Sequence, residues 1–263
     1  MGRIDEIFQE LRSEQRGGLI PYICAGDPPG ASIGDVLRAL DEGGGSIVEV
    51  GIPFSDPIAD GPVIAAAMHR ALEAGWTPER VFEEIGACRD GIDAGLVAMV
   101  SVSIVQRMGG PESFVKRASE AGFDGFIFPD ATLETSEPFM APVREAGLSG
   151  SLLVSPTTPP ERAALIASSS AGFVYLLARS GITGEREDAP DIAEAVTRIR
   201  ETTDTPIACG FGISRPEHVH AVVEHADAAI VGSALVRRLM DSDNPVTEAR
   251  SFAQELSSGL GSN

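Results

Sequence analysis

Short apolar runs recur along the chain about every 25 to 30 residues, and each is followed by a polar loop and a stretch with apolar positions at helical period. Runs of the first kind suit strands buried on both faces, so the alternation is that of βα units around a parallel sheet. The predicted strands fall at 19–24, 46–50, 96–101, 125–128, 152–154, 173–177, 207–208 and 228–231. Eight parallel strands close naturally into a barrel, which predicts an α/β protein built as one (β/α)8 TIM barrel over residues 1–263. The competing arrangement is a doubly wound open sheet. Helix starts are marked by Thr77-Pro78 ahead of residues 79–85 and by Gly110-Pro111 ahead of 112–121, where proline fits the first turn. Extra helices are expected before strand 1 and, across 62–74, after strand 2. Residues 257–263 read as a frayed tail.

Composition narrows the setting. With 43% hydrophobic and 22% charged residues the chain has the balance of a soluble globular protein. No apolar run approaches the roughly 20 residues that span a bilayer, and residues 1–15 have the charge pattern of an amphipathic helix rather than a signal peptide, so a cytoplasmic protein is expected. Cys24, Cys88 and Cys209 are odd in number and unpaired in spacing, which speaks against a disulfide framework or structural zinc site. A net charge of -19 would repel nucleic acid and an anionic membrane surface. Lys116 is the only lysine; arginine-rich, acidic usage fits either a salty cytoplasm or a GC-rich genome.

In such a barrel, chemistry belongs where strands end and βα loops begin. Glu49 interrupts the apolar second strand, and the loop behind it carries Asp56 and Asp60 between three prolines. Two readings of Glu49 stand: a rim glutamate satisfied by a neighbouring helix, or a carboxyl in the barrel mouth whose burial raises its pKa toward working pH. Asp56 reads as a turn acceptor. The loop after strand 6, residues 181–186, is polar with two glycines and suits either a mobile lid or an ordinary exposed loop. Gly210-Phe211-Gly212 after strand 7 and Gly232-Ser233 after strand 8 together suggest a phosphate site made of backbone N–H groups and a helix N-terminus. Lys116 lies within the helix after strand 3, which leaves imine chemistry without an amine, and His69, His218, His220 and His225 fall in helical stretches unsuited to a metal. Residues and spacing alone lead to proton transfer on a phosphorylated small molecule.

The run Glu49-Val50-Gly51-Ile52-Pro53-Phe54-Ser55-Asp56-Pro57-Ile58-Ala59-Asp60-Gly61-Pro62 closely resembles the signature of the tryptophan synthase alpha chain family. Further matches follow in family order: Ala25-Gly26-Asp27-Pro28, Tyr175 with Gly181-Ile182-Thr183-Gly184, Gly210-Phe211-Gly212-Ile213 and Val231-Gly232-Ser233-Ala234. The resemblance implies cleavage of indole-3-glycerol phosphate into indole and glyceraldehyde 3-phosphate, with Glu49 as acid–base residue. Asp60 would accept the indole N–H, Tyr175 would line the site, and Thr183 would hold Asp60 when the strand-6 loop closes. Gly184, Phe211, Gly212, Gly232 and Ser233 would hold the phosphate. No metal or organic cofactor is implied for this chain; pyridoxal phosphate would belong to a partner beta chain in an alpha2-beta2 heterotetramer that takes up the indole. A stand-alone lyase and a catalytically weak activating subunit are the alternatives. Residues 100–106 depart from the family, which commonly shows a tyrosine and an Asn-Pro there, and Tyr22 stands where a phenylalanine is expected.

Overall fold

In the computed structural model, which describes residues 2–57, 60–178, 192–210 and 212–261, nine parallel strands form one sheet. They are β1 (Gly18–Cys24), β2 (Ile47–Gly51), β3 (Gly95–Met99), β4 (Gly125–Ile127), β5 (Ser149–Ser151), β6 (Leu153–Val154), β7 (Val174–Leu177), β8 (Ile207–Gly210) and β9 (Ala228–Val231). Their order is β5-β4-β3-β2-β1-β9-β8-β7-β6. The two edge strands follow one another in the chain with only Leu152 between them, so the edges meet and the sheet closes into a barrel. An open doubly wound sheet is thereby ruled out. The predicted fifth strand is in fact two pieces beginning at Ser149; Ser149-Gly150-Ser151 is fully buried but has no apolar side chain to announce it. At the break, the Leu152 N–H donates to Ser170 Oγ while its carbonyl accepts from the Tyr175 N–H.

The helices are α1 (Arg3–Ser13), α2 (Ile33–Glu42), α3 (Pro62–Glu73), α4 (Pro78–Cys88), α5 (Val102–Arg107), α6 (Pro111–Ala121), α7 (Leu133–Glu145), α8 (Pro160–Ser169), α9 (Ala193–Arg200), α10 (Pro216–Val223), α11 (Ser233–Asp241) and α12 (Pro245–Ser257). Both expected extra helices, α1 and α3, are present. α4 starts as its sequence demands, with Pro78 in the first turn and Thr77 Oγ1 accepting from the Arg80 N–H. Gly110 and Gly122, at φ 90° and 102°, bracket α6 in a backbone region that favours glycine.

α1 buries Ile4, Ile7, Phe8 and Leu11, one stripe at helical spacing. That stripe closes the end of the barrel where the strands begin: a Cβ on Gly95 would lie 2.5 Å from Ile4 Cδ1, and one on Gly18 2.9 Å from Leu11 Cδ1. The expected frayed tail is a correction. Residues 258–260 form a turn of 3-10 helix, Leu260 is buried, and Gly259 sits so close to α10 that a Cβ there would be 2.1 Å from the Pro216 carbonyl oxygen. Small polar residues suggested solvent; the glycine instead permits close docking. His225 likewise lies in the turn after α10, not in the helix.

Parallel register decides which side chains share a face. Tyr22, Glu49, Val97, Gly125 and Ser149 form one row, and Cys24, Gly51, Met99, Ile127 and Ser151 the row nearer the strand C-termini. Tyr175 on β7 is separated from Glu49 on β2 by β8, β9 and β1 along the sheet, yet the Glu49 charge bears directly on the Tyr175 phenol. The two groups therefore face each other across the lumen.

Candidate active site

Two glycines make room in the lumen for two phenols. A Cβ on Gly51 would fall 2.1 Å from Tyr22 Oη, and one on Gly210 would fall 2.9 Å from Tyr175 Oη. Each ring thus leans over the strand beside its own and brings its hydroxyl toward the mouth. Between them stands Glu49, completely buried, with neither carboxylate oxygen hydrogen-bonded among the described residues. Burial raises its pKa from the ordinary 4.5 to about 8, because the charged form loses its hydration and gains nothing in exchange. The rim-glutamate reading fails on this point: no helix among the described residues satisfies the carboxyl.

The loop behind β2 is rooted where the Ile52 N–H donates to the Met99 carbonyl. It returns through Pro57, whose carbonyl accepts from the Asp60 N–H at 3.1 Å, and then Gly61 and Pro62 open α3. Asp60 is half-buried and its pKa is raised by burial from 3.8 to about 6. At neutral pH the two carboxyls are therefore in opposite states: Glu49 holds a proton and Asp60 carries a charge. Asp56 is exposed and accepts from Ser55 Oγ at 2.8 Å, as a turn residue does. α3 is fastened to the β1 loop by a fork in which Arg70 donates to both oxygens of buried Asp27, at 2.6 and 2.9 Å.

Beside Asp60 a cavity of about 310 Å³ is walled by Ile52, Phe54, Met68, Met99, Val100 and Pro129, with Ser101 and Asp130 on its polar side. Its apolar walls stand beside the half-buried Asp60 carboxylate, a combination suited to a flat aromatic with an N–H. Residues 100–106 help build it: Ser101 caps α5 by accepting from the Ser103 N–H and donates to Asp130, which also accepts from the Val102 N–H. Sequence reasoning passed over Asp130, although an acid at the end of β4, after Phe128-Pro129, is the same signal that singled out the loop after β2.

Across the mouth, Gly232 precedes α11 without a side-chain cap, and Ser233, its first residue, is buried with its hydroxyl unpartnered among the described residues. First-turn amides of a helix lack intrahelical partners and sit at the positive end of its dipole, so this corner suits an anion. Gly212 adopts φ 75°, a left-handed backbone that brings its peptide close where a side chain would be strained. The structure thus brings together Glu49, Asp60, Tyr175, Gly232 and Ser233 of the expected site, with Gly212 two residues beyond the end of β8. Thr183, Gly184, Phe211 and the suggested lid over 181–186 lie outside the described residues. Among the described residues, no three His, Cys, Asp or Glu side chains gather as a metal site would need.

Residues 8–260 match the family model described as tryptophan synthase alpha chain. The chain is 41% identical over 260 residues to the tryptophan synthase alpha chain of Thermosynechococcus vestitus, covering 98% of this chain and 97% of that one. It is 40% identical to that of Solibacter usitatus, covering 99% of each. Among solved structures, it superposes on a chain of Mycobacterium tuberculosis tryptophan synthase with a TM-score of 0.90 at 32% identity, covering 98% of both. On the alpha subunit from Legionella pneumophila the TM-score is 0.88 at 29% identity, covering 99% of this chain and 98% of that one.

Proposed function

The chain belongs to the tryptophan synthase alpha chain family, a lyase of tryptophan biosynthesis, and on that premise we propose that Glu49 and Asp60 together cleave indole-3-glycerol phosphate into indole and glyceraldehyde 3-phosphate. The observation that carries the assignment is two carboxyls on one lumen, Glu49 fully buried and without a hydrogen-bond partner among the described residues and Asp60 half-buried, with burial raising the pKa of Glu49 to about 8 and of Asp60 to about 6. Glu49 delivers its proton to the ring carbon bearing the side chain. Asp60 accepts the indole N–H and stabilises the positive charge that this protonation creates. The Glu49 carboxylate then takes the proton of the side-chain hydroxyl next to the ring. As that oxygen becomes the aldehyde carbonyl, the bond between ring and side chain breaks and its electrons restore the aromatic ring. Glu49 ends protonated, as it began, so the cycle closes without a co-reactant.

Tyr175 closes the lumen opposite Glu49, the cavity beside Asp60 takes the indole, and Gly212, Gly232 and Ser233 hold the phosphate. Thr183, Gly184 and Phe211 complete the site by family pattern. The chemistry needs no metal or organic cofactor in this chain. Indole passes to a beta chain carrying pyridoxal phosphate, in an alpha2-beta2 assembly reached through the stiff Pro53, Phe54 and Pro57 loop. A cytoplasmic location goes with this reading, since Cys24, Cys88 and Cys209 are free and buried and no helix among the described residues is long and apolar enough to cross a membrane. The deciding experiment is indole release from indole-3-glycerol phosphate by the purified protein. Release expected of the wild type and missing from it would overturn the assignment.

A further inference from the structure

Tyr22 has no part in the chemistry just described, yet its hydroxyl is one of the few buried polar groups without a partner among the described residues. A buried hydroxyl left unsatisfied is destabilising, and native proteins seldom keep one without a partner that binds there. Its side chain links the two ends of the site. At its root, Tyr22 Cβ is 3.8 Å from where a Cβ on Gly232 would stand, at the anion corner. At its tip, Oη rests in the notch left by Gly51, one row nearer the mouth than Glu49, its own partner in register. A ligand with its phosphate at Gly232-Ser233 and its reacting carbon at Glu49 must lay the intervening carbon chain along this ring. The orphaned hydroxyl meets that chain.

We propose that Tyr22 is a specificity-determining residue whose hydroxyl hydrogen-bonds the hydroxyl groups on the three-carbon chain between ring and phosphate. The phenol is fit for this role. Burial first, and then the nearby Cys24, Asp60 and Glu49, hold its pKa well above the ordinary value, so it remains an O–H donor as well as an acceptor at any working pH. A site built to bond a hydroxyl discriminates against a ligand lacking one, because the protein's own group is then left buried and unpaired. Tyr22 therefore selects a hydroxylated chain over a plain alkyl phosphate of equal length. The inference rests on the proposed function for the placement of substrate, but its test separates the two.

The experiment compares wild type with Tyr22→Phe on two ligands: indole-3-glycerol phosphate, and an analogue whose chain is an unsubstituted propyl phosphate. For the wild type and variant, kcat/KM is measured with the first, and inhibition by the second. Removing the hydroxyl should lower kcat/KM by about tenfold and leave the analogue bound at least as tightly as by the wild type, since the variant strands no hydroxyl against it. Because a loss of folded protein lowers the apparent kcat/KM without moving an inhibition constant, kcat is counted per folded molecule, with the folded fraction of each preparation read from its urea unfolding curve. An unchanged kcat/KM would overturn the proposal, as would equal weakening toward both ligands, which would make Tyr22 a packing residue. A wild type that forms no indole would instead defeat the functional reading, and is seen before any variant is made.

Discussion

Glu49→Gln should make the protein both inactive and more stable, and the second effect can be worked out from the burial of one group. The carboxyl titrates at about 8 in the folded protein against 4.5 when solvated. A group whose folded pKa is raised stabilises fully below its unfolded value, and that contribution is lost as the pH rises toward the folded one. Each pH unit in that window is worth about 1.4 kcal/mol. The loss reaches about 3 kcal/mol at neutral pH and levels off near an upper limit of about 5 kcal/mol above pH 8. Glutamine has the same shape and no titration, so the variant escapes the loss. Its stability relative to wild type should be near parity at about pH 4 and rise to about 3 kcal/mol at about pH 7, a gain of about 5 °C in Tm for a chain of this size. Urea titrations of both proteins across that range measure it, while indole formation should fall at least about a hundredfold. A stability difference that does not vary with pH would show that Glu49 is not held protonated. A folded Glu49→Gln protein with near-normal turnover would remove it from the mechanism.

The kcat/KM profile should be bell-shaped, falling as the pH drops through about 6, where Asp60 loses its charge, and as it rises through about 8, where Glu49 loses its proton; a flat profile across that window refutes the assigned states. Gly232→Asp should weaken substrate binding by more than about tenfold through charge repulsion, and it is a cleaner test than any change at Gly212, whose φ of 75° penalises every side chain; unchanged KM in a folded variant would move the phosphate elsewhere. Mixing with a matching beta chain should give a heterotetramer with raised lyase turnover, seen by light scattering and indole assay; a protein that stays alone and equally active would be a stand-alone lyase.

What could be read from the sequence was whatever apolar patterning or a polar interruption announces. The strands with continuous apolar runs fall within one or two residues of expectation, and Glu49 stood out because it breaks such a run. β5 was invisible for the converse reason: Ser149-Gly150-Ser151 is buried by its position in a closed sheet, not by its side chains. The same holds for Gly51 and Gly210. Their glycine signal could be seen, but the sequence has no means of telling that each yields its space to a tyrosine on the next strand. Asp130 was legible by the rule used elsewhere and was passed over. The Ser101 cap shows that the departure from the family at 100–106 is a short helix walling the cavity, something that spacing did not suggest.

The stripe of α1 beneath the barrel makes the lumen a vessel with one door. Ile4, Phe8 and Leu11 occupy the end where water or a small product could otherwise leave, so substrate, aldehyde and indole all share the mouth. Traffic through it is then ordered by attachment. In the proposed site the aldehyde would keep the phosphate and its hold on Gly232-Ser233, whereas indole would lose its tether when the bond breaks and rest in the cavity bounded by the loop after β2 and by the start of α5. A subunit docked over that rim would receive the untethered product first, which gives the closed floor of the barrel a part in deciding which molecule is handed on.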